Sequence, residues 1–192
     1  MKIRKLLLVG MVFVVLMSAP LTMAWGANSP VKNELYSEVA STLAGRPAEV
    51  WCYDPNTWEK FFSGLDGFAV VSNGFIGLRP LVCSRLAGLV DGNRPWIGTG
   101  IFDTEATAYA SAVDALAHEA MHVGGIVSES VTECVSGQLV EQTARLLGIE
   151  KEYAHQLEGW NWRYVYPARP ALYRSRDCPG RWFSGRRVKF ED

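Results

Sequence analysis

The sequence predicts an α+β fold, in which a small antiparallel β-sheet or hairpin packs on a core of helices. Residues 104–123 are rich in alanine and contain no glycine or proline, which is typical of a long helix because alanine has the highest helix propensity. Two apolar runs, at 68–71 and 75–78, flank an Asn73-Gly74 turn, and this pattern indicates a hairpin. The length of 192 residues and the hydrophobic content of 48% suit one globular domain.

The first 27 residues have the organisation of a secretory signal peptide. Three basic residues precede an apolar run of 12 residues from Leu6 to Met17, and Ala24-Trp25-Gly26 offers small residues where signal peptidase reads. This run is shorter than the roughly 20 residues of a membrane span. An uncleaved anchor is the alternative. We expect a secreted or extracytoplasmic protein, with no stable membrane span after cleavage and a single domain at 28–192.

The charge of the chain does not suit a dedicated nucleic-acid binder. The net charge is -1, and the signal segment contains three basic residues and no acid. The remainder therefore holds 16 basic and 20 acidic residues. Nucleic-acid-binding domains carry a basic excess instead.

Short elements fill the N-terminal half of the domain. Leu35, Val39 and Leu43 recur at helical spacing and predict a first helix. A segment partly rich in β-branched and aromatic residues predicts a strand after it. The expected elements are a helix from Ser29-Pro30 to Gly45-Arg46-Pro47, a strand at 48–53, a helix at 55–64, the hairpin at 68–78, a helix at 81–89 and a loop at 91–100.

Three longer helices fill the C-terminal half. The alanine-rich helix, capped by Asp103 or Thr104, is expected to be buried and central, because small side chains let neighbouring backbones approach closely. Gly124-Gly125 ends it. The next two helices are expected from Ser128 to Leu147, ended by Gly148, and from Glu150 to Tyr166, ended by Pro167.

The last segment, residues 168–192, lacks periodicity and contains six arginines, of which Arg169 is the first. This pattern predicts a basic tail in solvent, pinned to the domain by Cys178. Contact with an anionic cell-wall polymer or with substrate is the alternative.

Four cysteines follow the signal segment. Their even number in an exported chain predicts two disulfides, and three pairings are possible. A zinc site built from all four thiolates is the alternative, but such sites use closely spaced pairs. The four residues are Cys52, Cys83, Cys134 and Cys178.

The alanine-rich helix carries the pattern His-Glu-x-x-His as His118, Glu119 and His122. Residues four apart project from one face of a helix. Two imidazoles on that face can bind one zinc ion, and Glu119 projects beside the remaining coordination position. The alternative is an exposed charged face of the helix.

A catalytic zinc normally has a third protein ligand, and the only other histidine is the distant His155. Glu129 and Glu133 are four residues apart at the start of the next helix, so they share a face. The Gly124-Gly125 turn can fold this helix antiparallel to the first. One carboxylate can then bind zinc, and the other can accept the N–H of a ligand histidine. The residues alone do not show whether Glu129 or Glu133 is the zinc ligand.

This arrangement resembles the gluzincin branch of the zincin metallopeptidases, in which His-Glu-x-x-His is followed by a glutamate ligand on the next helix. The segment Ser128 to Glu133 is similar to the Asn-Glu-x-x-x-Asp segment of thermolysin-like members, although Glu replaces the final Asp. The resemblance implies Glu129 as the third ligand and Glu133 as the acid bonded to a ligand histidine. The swapped assignment is the alternative.

A closer resemblance is to a set of small secreted bacterial proteins. They share His-Glu-x-x-His, then Glu-x-x-x-Glu-Cys and a late Tyr-Arg-Ser-x-x-Cys, which here are residues 129–134 and 173–178. This resemblance covers most of the chain after the signal segment. It implies a zincin-like domain with Cys134 paired to Cys178 and Cys52 paired to Cys83.

The expected function is a secreted zinc-dependent peptide-bond hydrolase that acts on a peptide or protein. Zinc would lower the pKa of its bound water toward ~7 and polarise the scissile carbonyl, while Glu119 moves the proton. We expect substrate beside an edge strand at Phe75 to Leu78. The candidates for an oxyanion donor are His155, Tyr164 and Tyr166.

Two other functions fit the same sequence. The first is a zincin-fold binding or regulatory protein that holds zinc with little turnover. The second is a disulfide-stabilised secreted protein without metal.

Overall fold

The computed structural model describes residues 29–95, 104–175 and 177–178. The predicted signal peptide, residues 1–27, and the predicted cap Asp103 lie outside these ranges. Within them, no helix combines the length and the apolar character that a membrane crossing requires.

The described residues form an α+β fold, as predicted, with a four-stranded sheet and six α-helices of seven or more residues. The strands are β1 (Val31–Asn33), β2 (Glu49–Cys52), β3 (Gly67–Val70) and β4 (Phe75–Leu78). The helices are α1 (Glu34–Ala44), α2 (Pro55–Phe61), α3 (Pro80–Val90), α4 (Thr104–Val123), α5 (Glu129–Leu146) and α6 (Lys151–Trp160). A π-helical turn (Asn161–Val165), an α-helical turn (Tyr166–Ala168) and a 3-10 turn (Ala171–Tyr173) follow.

The sheet is mixed, so the prediction of an antiparallel sheet is wrong. Its order is β1-β2-β4-β3. The predicted hairpin is confirmed, because β3 and β4 pair antiparallel. However, β2 pairs parallel with β4, since the chain crosses over through α2 and β3 between them, as a parallel pair requires.

The position of β4 overturns a second prediction. Phe75–Leu78 was the expected edge strand, yet β4 lies between β2 and β3. Ile76 and Leu78 are fully buried there. The edge beside α4 is β3, whose residues Gly67–Val70 pair on one side only, with β4.

The first helix begins later than predicted. Ser29-Pro30 opens no helix, because residues 31–33 pair antiparallel with β2 as β1. The helix starts at Glu34, where the side chain of Asn33 accepts a hydrogen bond from the backbone N–H of Tyr36. This is the usual cap of a helix N-terminus.

The alanine-rich helix α4 is central, as predicted, and packs against α1, α3, α5 and α6. It begins at Thr104, so this residue belongs to the helix and is not its cap. Small buried side chains allow the close approach of these neighbours. The buried alanines of α4 are Ala106, Ala110, Ala112, Ala115, Ala117 and Ala120.

Pro167 does not end the last helix. The α-helix ends at Trp160, and helical turns continue to Ala168. Pro167 lies in the first turn of the short segment Tyr166–Ala168, where the missing N–H of proline has little cost. The chain then folds back over α4 and α5 as residues 169–175 and Cys178, which we call the C-terminal strap.

Both disulfides have the pairing that the resemblance implied, Cys52–Cys83 and Cys134–Cys178. The first joins the end of β2 to α3, and the second joins the strap to α5. All four cysteines are therefore oxidised, and a four-thiolate zinc site is excluded. Two disulfides indicate an oxidising or extracellular environment.

The prediction of a solvent-exposed tail is wrong for Arg169, the first residue of the strap. Its side chain is 21% exposed and pairs with acids of the domain. Arg174 is exposed, as predicted, and Arg176 and the arginines beyond residue 178 lie outside the described residues.

Candidate metal centre

The centre lies where α4 ends and α5 begins. Helix α4 ends at Val123, and Gly125 adopts a left-handed φ of 103°, a conformation that favours glycine. The chain then reverses into α5. In the pairs that contact each other, the residue number falls along α4 as it rises along α5, so the two helices are antiparallel. These pairs are His122–Glu129, His118–Glu133 and Asp114–Ser136.

Three potential ligand atoms converge at this junction. Nε2 of His118 lies 3.1 Å from Oε2 of Glu129 and 3.0 Å from Nε2 of His122. Nε2 of His122 lies 3.5 Å from the same Glu129 oxygen. Such a cluster of two imidazoles and a carboxylate could hold a metal ion.

The hydrogen bonds around the two rings fit a cation at this point. Nδ1 of His122 lies 2.7 Å from the carbonyl oxygen of Ile126, which only accepts, so Nδ1 is the donor. In a neutral imidazole, Nε2 then carries a lone pair. The assignment of this tautomer follows from the hydrogen-bond partner.

The Nδ1 atom of His118 also lies near an oxygen atom that can accept a hydrogen bond. This Nδ1 lies 2.9 Å from Oε2 of Glu133, although the N–H is not well aligned with this oxygen. No other described acceptor serves this buried nitrogen. With Nδ1 as donor, Nε2 of His118 also presents a lone pair. Two lone pairs and a carboxylate oxygen then face one another at 3.0 to 3.5 Å. A cation among them would remove their repulsion, as would a proton on Nε2 of His118 that is donated to Glu129.

Burial keeps the His118 ring ready for this role. Its side chain is largely enclosed between α4 and α5, and this burial lowers the pKa of His118. A lower pKa favours the neutral imidazole, which is the form that binds metals.

Glu119 lies buried beside the cluster. Burial, followed by repulsion from Glu129 and Glu133, raises the pKa of Glu119 to about 8. The side chain packs against the backbone of Gly67 at the start of β3. A Cβ atom at position 67 would lie 2.8 Å from both Cγ and Oε1 of Glu119. Glycine at this position therefore makes room for the glutamate.

A cavity of about 170 Å³ opens beside these groups. His118 and Glu119 form one wall, the loop before β3 with Leu65 and Asp66 forms another, and the strap covers the third with Tyr173. The ring centroid of Tyr173 lies 6.0 Å from that of His118. The cavity gives a ligand access to His118 and Glu119.

A second cluster of charges lies behind His118. Arg169 contacts Asp114 and Glu133, and Asp114 also accepts a hydrogen bond from the hydroxyl of Ser136 at 2.8 Å. Burial, with repulsion from Glu133, raises the pKa of Asp114 to about 7, although Arg169 and Ser136 act in the opposite direction.

Sequence reasoning missed Asp114, Arg169 and Tyr173. Asp114 precedes His118 by four residues and so shares its helix face, a signal that was available. Arg169 and Tyr173 reach the site only through the fold of the strap. The one sequence signal that this segment returns to α5 was the Cys134–Cys178 pairing that the resemblance implied.

The three residues expected as oxyanion donors lie elsewhere. His155 is about half exposed, and its Nδ1 lies 3.0 Å from Glu141. Tyr164 packs on Trp160, and the hydroxyl of Tyr166 contacts the backbone of the strap. Among the described residues that line the cavity, Tyr173 is the one with a phenolic hydroxyl.

Comparisons with models of known protein families, with curated proteins and with solved structures found no match.

Proposed function

We propose that this protein is a secreted zinc-dependent hydrolase of peptide bonds. The observation that carries the proposal is the convergence of Nε2 of His118, Nε2 of His122 and Oε2 of Glu129, with buried Glu119 beside them. Two imidazoles and one carboxylate form a donor set typical of catalytic zinc, which keeps a further position for water. The proposed class of the enzyme is a zincin-like metallopeptidase of the gluzincin type.

His118, His122 and Glu129 would hold the metal, and Glu133 would accept the Nδ1–H of His118. Such an acceptor fixes the tautomer and the orientation of the ligand ring. The distances support Glu129 as the ligand, because its oxygen faces both Nε2 atoms while the Glu133 oxygen faces Nδ1 of His118. Bound zinc supplies an activated water and a Lewis acid for the scissile carbonyl.

Glu119 is the proposed general base and acid. The pKa of about 8 applies without a metal, and a bound cation nearby would favour the ionised form of Glu119. That carboxylate would accept a proton from the attacking water and then deliver it to the leaving amine. Two features support this role. The side chain lines the cavity next to His118, and the absence of a Cβ on Gly67 leaves it room there.

Tyr173 is the proposed donor to the developing oxyanion. Tyr173 belongs to the cavity lining, and its ring centroid lies 6.0 Å from that of His118. Burial, with repulsion from Glu129 and other acids, raises the pKa of Tyr173. The hydroxyl therefore stays protonated at neutral pH and can donate a hydrogen bond.

Strand β3 is the proposed support for a peptide substrate. It is an edge of the sheet and begins at Gly67, in contact with Glu119. An extended peptide can add to such an edge through backbone hydrogen bonds. A peptide aligned on β3 would bring a carbonyl group near the proposed base.

The test measures the zinc content of secreted protein and the hydrolysis of a mixed peptide library. We expect one zinc per chain with hydrolysis, and the loss of both in His118→Ala. His155→Ala is the matched control, because this histidine lies outside the cavity, and it should retain both. Equal zinc content in wild type and His118→Ala would contradict the proposal. Zinc without hydrolysis would favour a binding or regulatory protein instead.

A further inference from the structure

Arg169 joins three acids that belong to three different parts of the fold. Its Nε donates to Oε1 of Glu133 on α5 at 2.5 Å, and its Nη2 donates to Oδ2 of Asp114 on α4 at 3.1 Å. Its Nη1 lies 3.6 Å from Oδ2 of Asp66, just before β3. The guanidinium fork thus ties the strap to both helices of the centre.

The two carboxylate oxygens of Glu133 have different partners. Oε1 faces the guanidinium, while Oε2 faces Nδ1 of His118 at 2.9 Å. The Glu133 side chain is only 2% exposed, although it borders the cavity, so little water competes with these two partners. Arg169 therefore fixes the rotation of the carboxylate that contacts the ring.

Arg169 also balances the charge of two neighbouring buried acids. Asp114 is fully buried and uses Oδ1 for Ser136 and Oδ2 for Arg169. Buried carboxylates without a cation repel each other and are poorly solvated. Without Arg169, the Glu133 side chain would lose the group that holds it between Asp114 and His118.

We propose that Arg169 is a positioning residue of the metal centre. It holds Glu133 so that Oε2 keeps Nδ1 of His118 as the donor and directs Nε2 of His118 toward the metal position. Arg169 lines the same cavity as His118 and Glu119, and its ion pairs are with Glu133, Asp114 and Asp66 rather than with the proposed ligands. The inference rests on the proposed metal centre and assigns a role in it to the strap.

The attachment of the strap supports this role. The Cys134–Cys178 disulfide joins the strap to α5 at the residue next to Glu133. The backbone N–H of Ser175 donates to the hydroxyl of Tyr166 at 3.0 Å. Covalent and hydrogen-bonded links on both sides of Arg169 thus hold its guanidinium at the centre.

The first measurement is the zinc affinity of the full secreted chain, obtained by competition with a chromophoric chelator. We expect Arg169→Gln to weaken binding about 10- to 100-fold, which is the usual effect of losing a group behind a ligand. Arg174→Gln, at an exposed arginine of the same strap, should bind like wild type. Arg169→Lys should fall between, because an ammonium cannot reproduce the planar fork. Wild-type affinity in a folded Arg169→Gln protein would overturn the proposal.

The second measurement asks whether Arg169 acts through Glu133. If it does, Arg169→Gln should add little to the loss that Glu133→Gln already causes, because residues of one network are not additive. Fully additive losses would overturn the proposal. If Arg169→Gln alone does not fold, Arg169→Gln/Asp114→Asn, which removes one buried charge of each sign, takes its place.

The third measurement needs no metal. Nitrogen chemical shifts report the tautomer of each imidazole, and the chain has only three histidines to assign. In metal-free protein at about pH 8, where histidine is neutral, His118 should carry its proton on Nδ1, and this signature should change in Arg169→Gln but not in Arg174→Gln. An unchanged signature would overturn the inference. A wild-type protein that binds no zinc would instead contradict the proposed function, and the tautomer would still decide the role of Arg169.

Discussion

Nδ1 of His118 and Oε2 of Glu133 lie 2.9 Å apart across the interface of α4 and α5. The opposite nitrogen of the same ring, Nε2, lies 3.1 Å from Glu129. The two glutamates thus contact the two different nitrogens of one imidazole. This relationship distinguishes their expected roles.

Glu129→Gln should lose more zinc affinity than Glu133→Gln. The first substitution removes the proposed ligand, whereas the second changes an acceptor behind a ligand and should cost about 10- to 100-fold. Chelator competition on both proteins measures the difference. The reverse order would favour Glu133 as the ligand.

Glu119→Gln should keep its zinc and lose peptide hydrolysis, because the amide cannot accept the proton of the attacking water. We expect the rate to fall by about 100- to 10,000-fold. Metal analysis and peptide cleavage are measured on the same sample, with the exposed Glu152→Gln as the control. Unchanged hydrolysis would remove Glu119 from the mechanism.

Gly67→Ala should impair hydrolysis with little loss of zinc. The new methyl group would lie 2.8 Å from Oε1 of Glu119, so the glutamate side chain must move. A displacement of about 1 Å at a catalytic group can reduce the rate about 100-fold. Ser63→Ala, an exposed site in the preceding loop, serves as the control. Equal rates in Gly67→Ala and wild type would show that Glu119 does not need the space that glycine leaves at position 67.

Tyr173→Phe should lower kcat while zinc content stays constant, because the ring remains beside His118 and only the hydroxyl is lost. Loss of an oxyanion donor reduces kcat by about 100-fold or more. Tyr164→Phe is the matched control, since Tyr164 packs on Trp160 and should be neutral. An effect confined to Tyr164→Phe would transfer the proposed role to that residue.

The Arg94–Glu150 ion pair should stabilise the fold in a pH-dependent way. Both Nε and Nη2 of Arg94 donate to this carboxylate at 2.8 Å, and these bonds lower the pKa of Glu150 from 4.5 to about 2. Because the folded-state pKa is depressed, the contribution is full above pH 4.5 and is lost as pH falls toward 2.

Glu150 is half exposed, so solvent screening limits the contribution to about 1 kcal/mol or less. Thermal unfolding of wild type and Glu150→Gln should therefore differ at neutral pH and converge near pH 2. The exposed Glu152→Gln provides the background effect of losing one acid. A difference of the same size at both pH values would contradict the ion-pair explanation.

Local patterns predicted the elements that carry the site. Alanine content predicted α4, the Asn73-Gly74 turn predicted the β3–β4 hairpin, and glycines predicted the turn between α4 and α5. These features depend on propensities and spacings within a few residues. For that reason, the sequence was sufficient to predict them.

Long-range packing produced the differences from prediction. The parallel pairing of β2 with β4 depends on a crossover, and the edge position of β3 depends on the order of the whole sheet. The burial of Arg169 depends on the fold-back of the strap. None of these relationships follows from the residues next to it in the chain.

The spacing of His118 and His122 was enough to predict that they share one helix face, because four residues complete about one helical turn. The same spacing was enough to predict that Glu129 and Glu133 share a face of the next helix. The spacing does not show which glutamate oxygen lies near Nε2 of His118 and which lies near Nδ1, and the packed structure does. That choice depends on the packing of two helices and on the guanidinium of Arg169 behind them, and these are contacts between residues far apart in sequence.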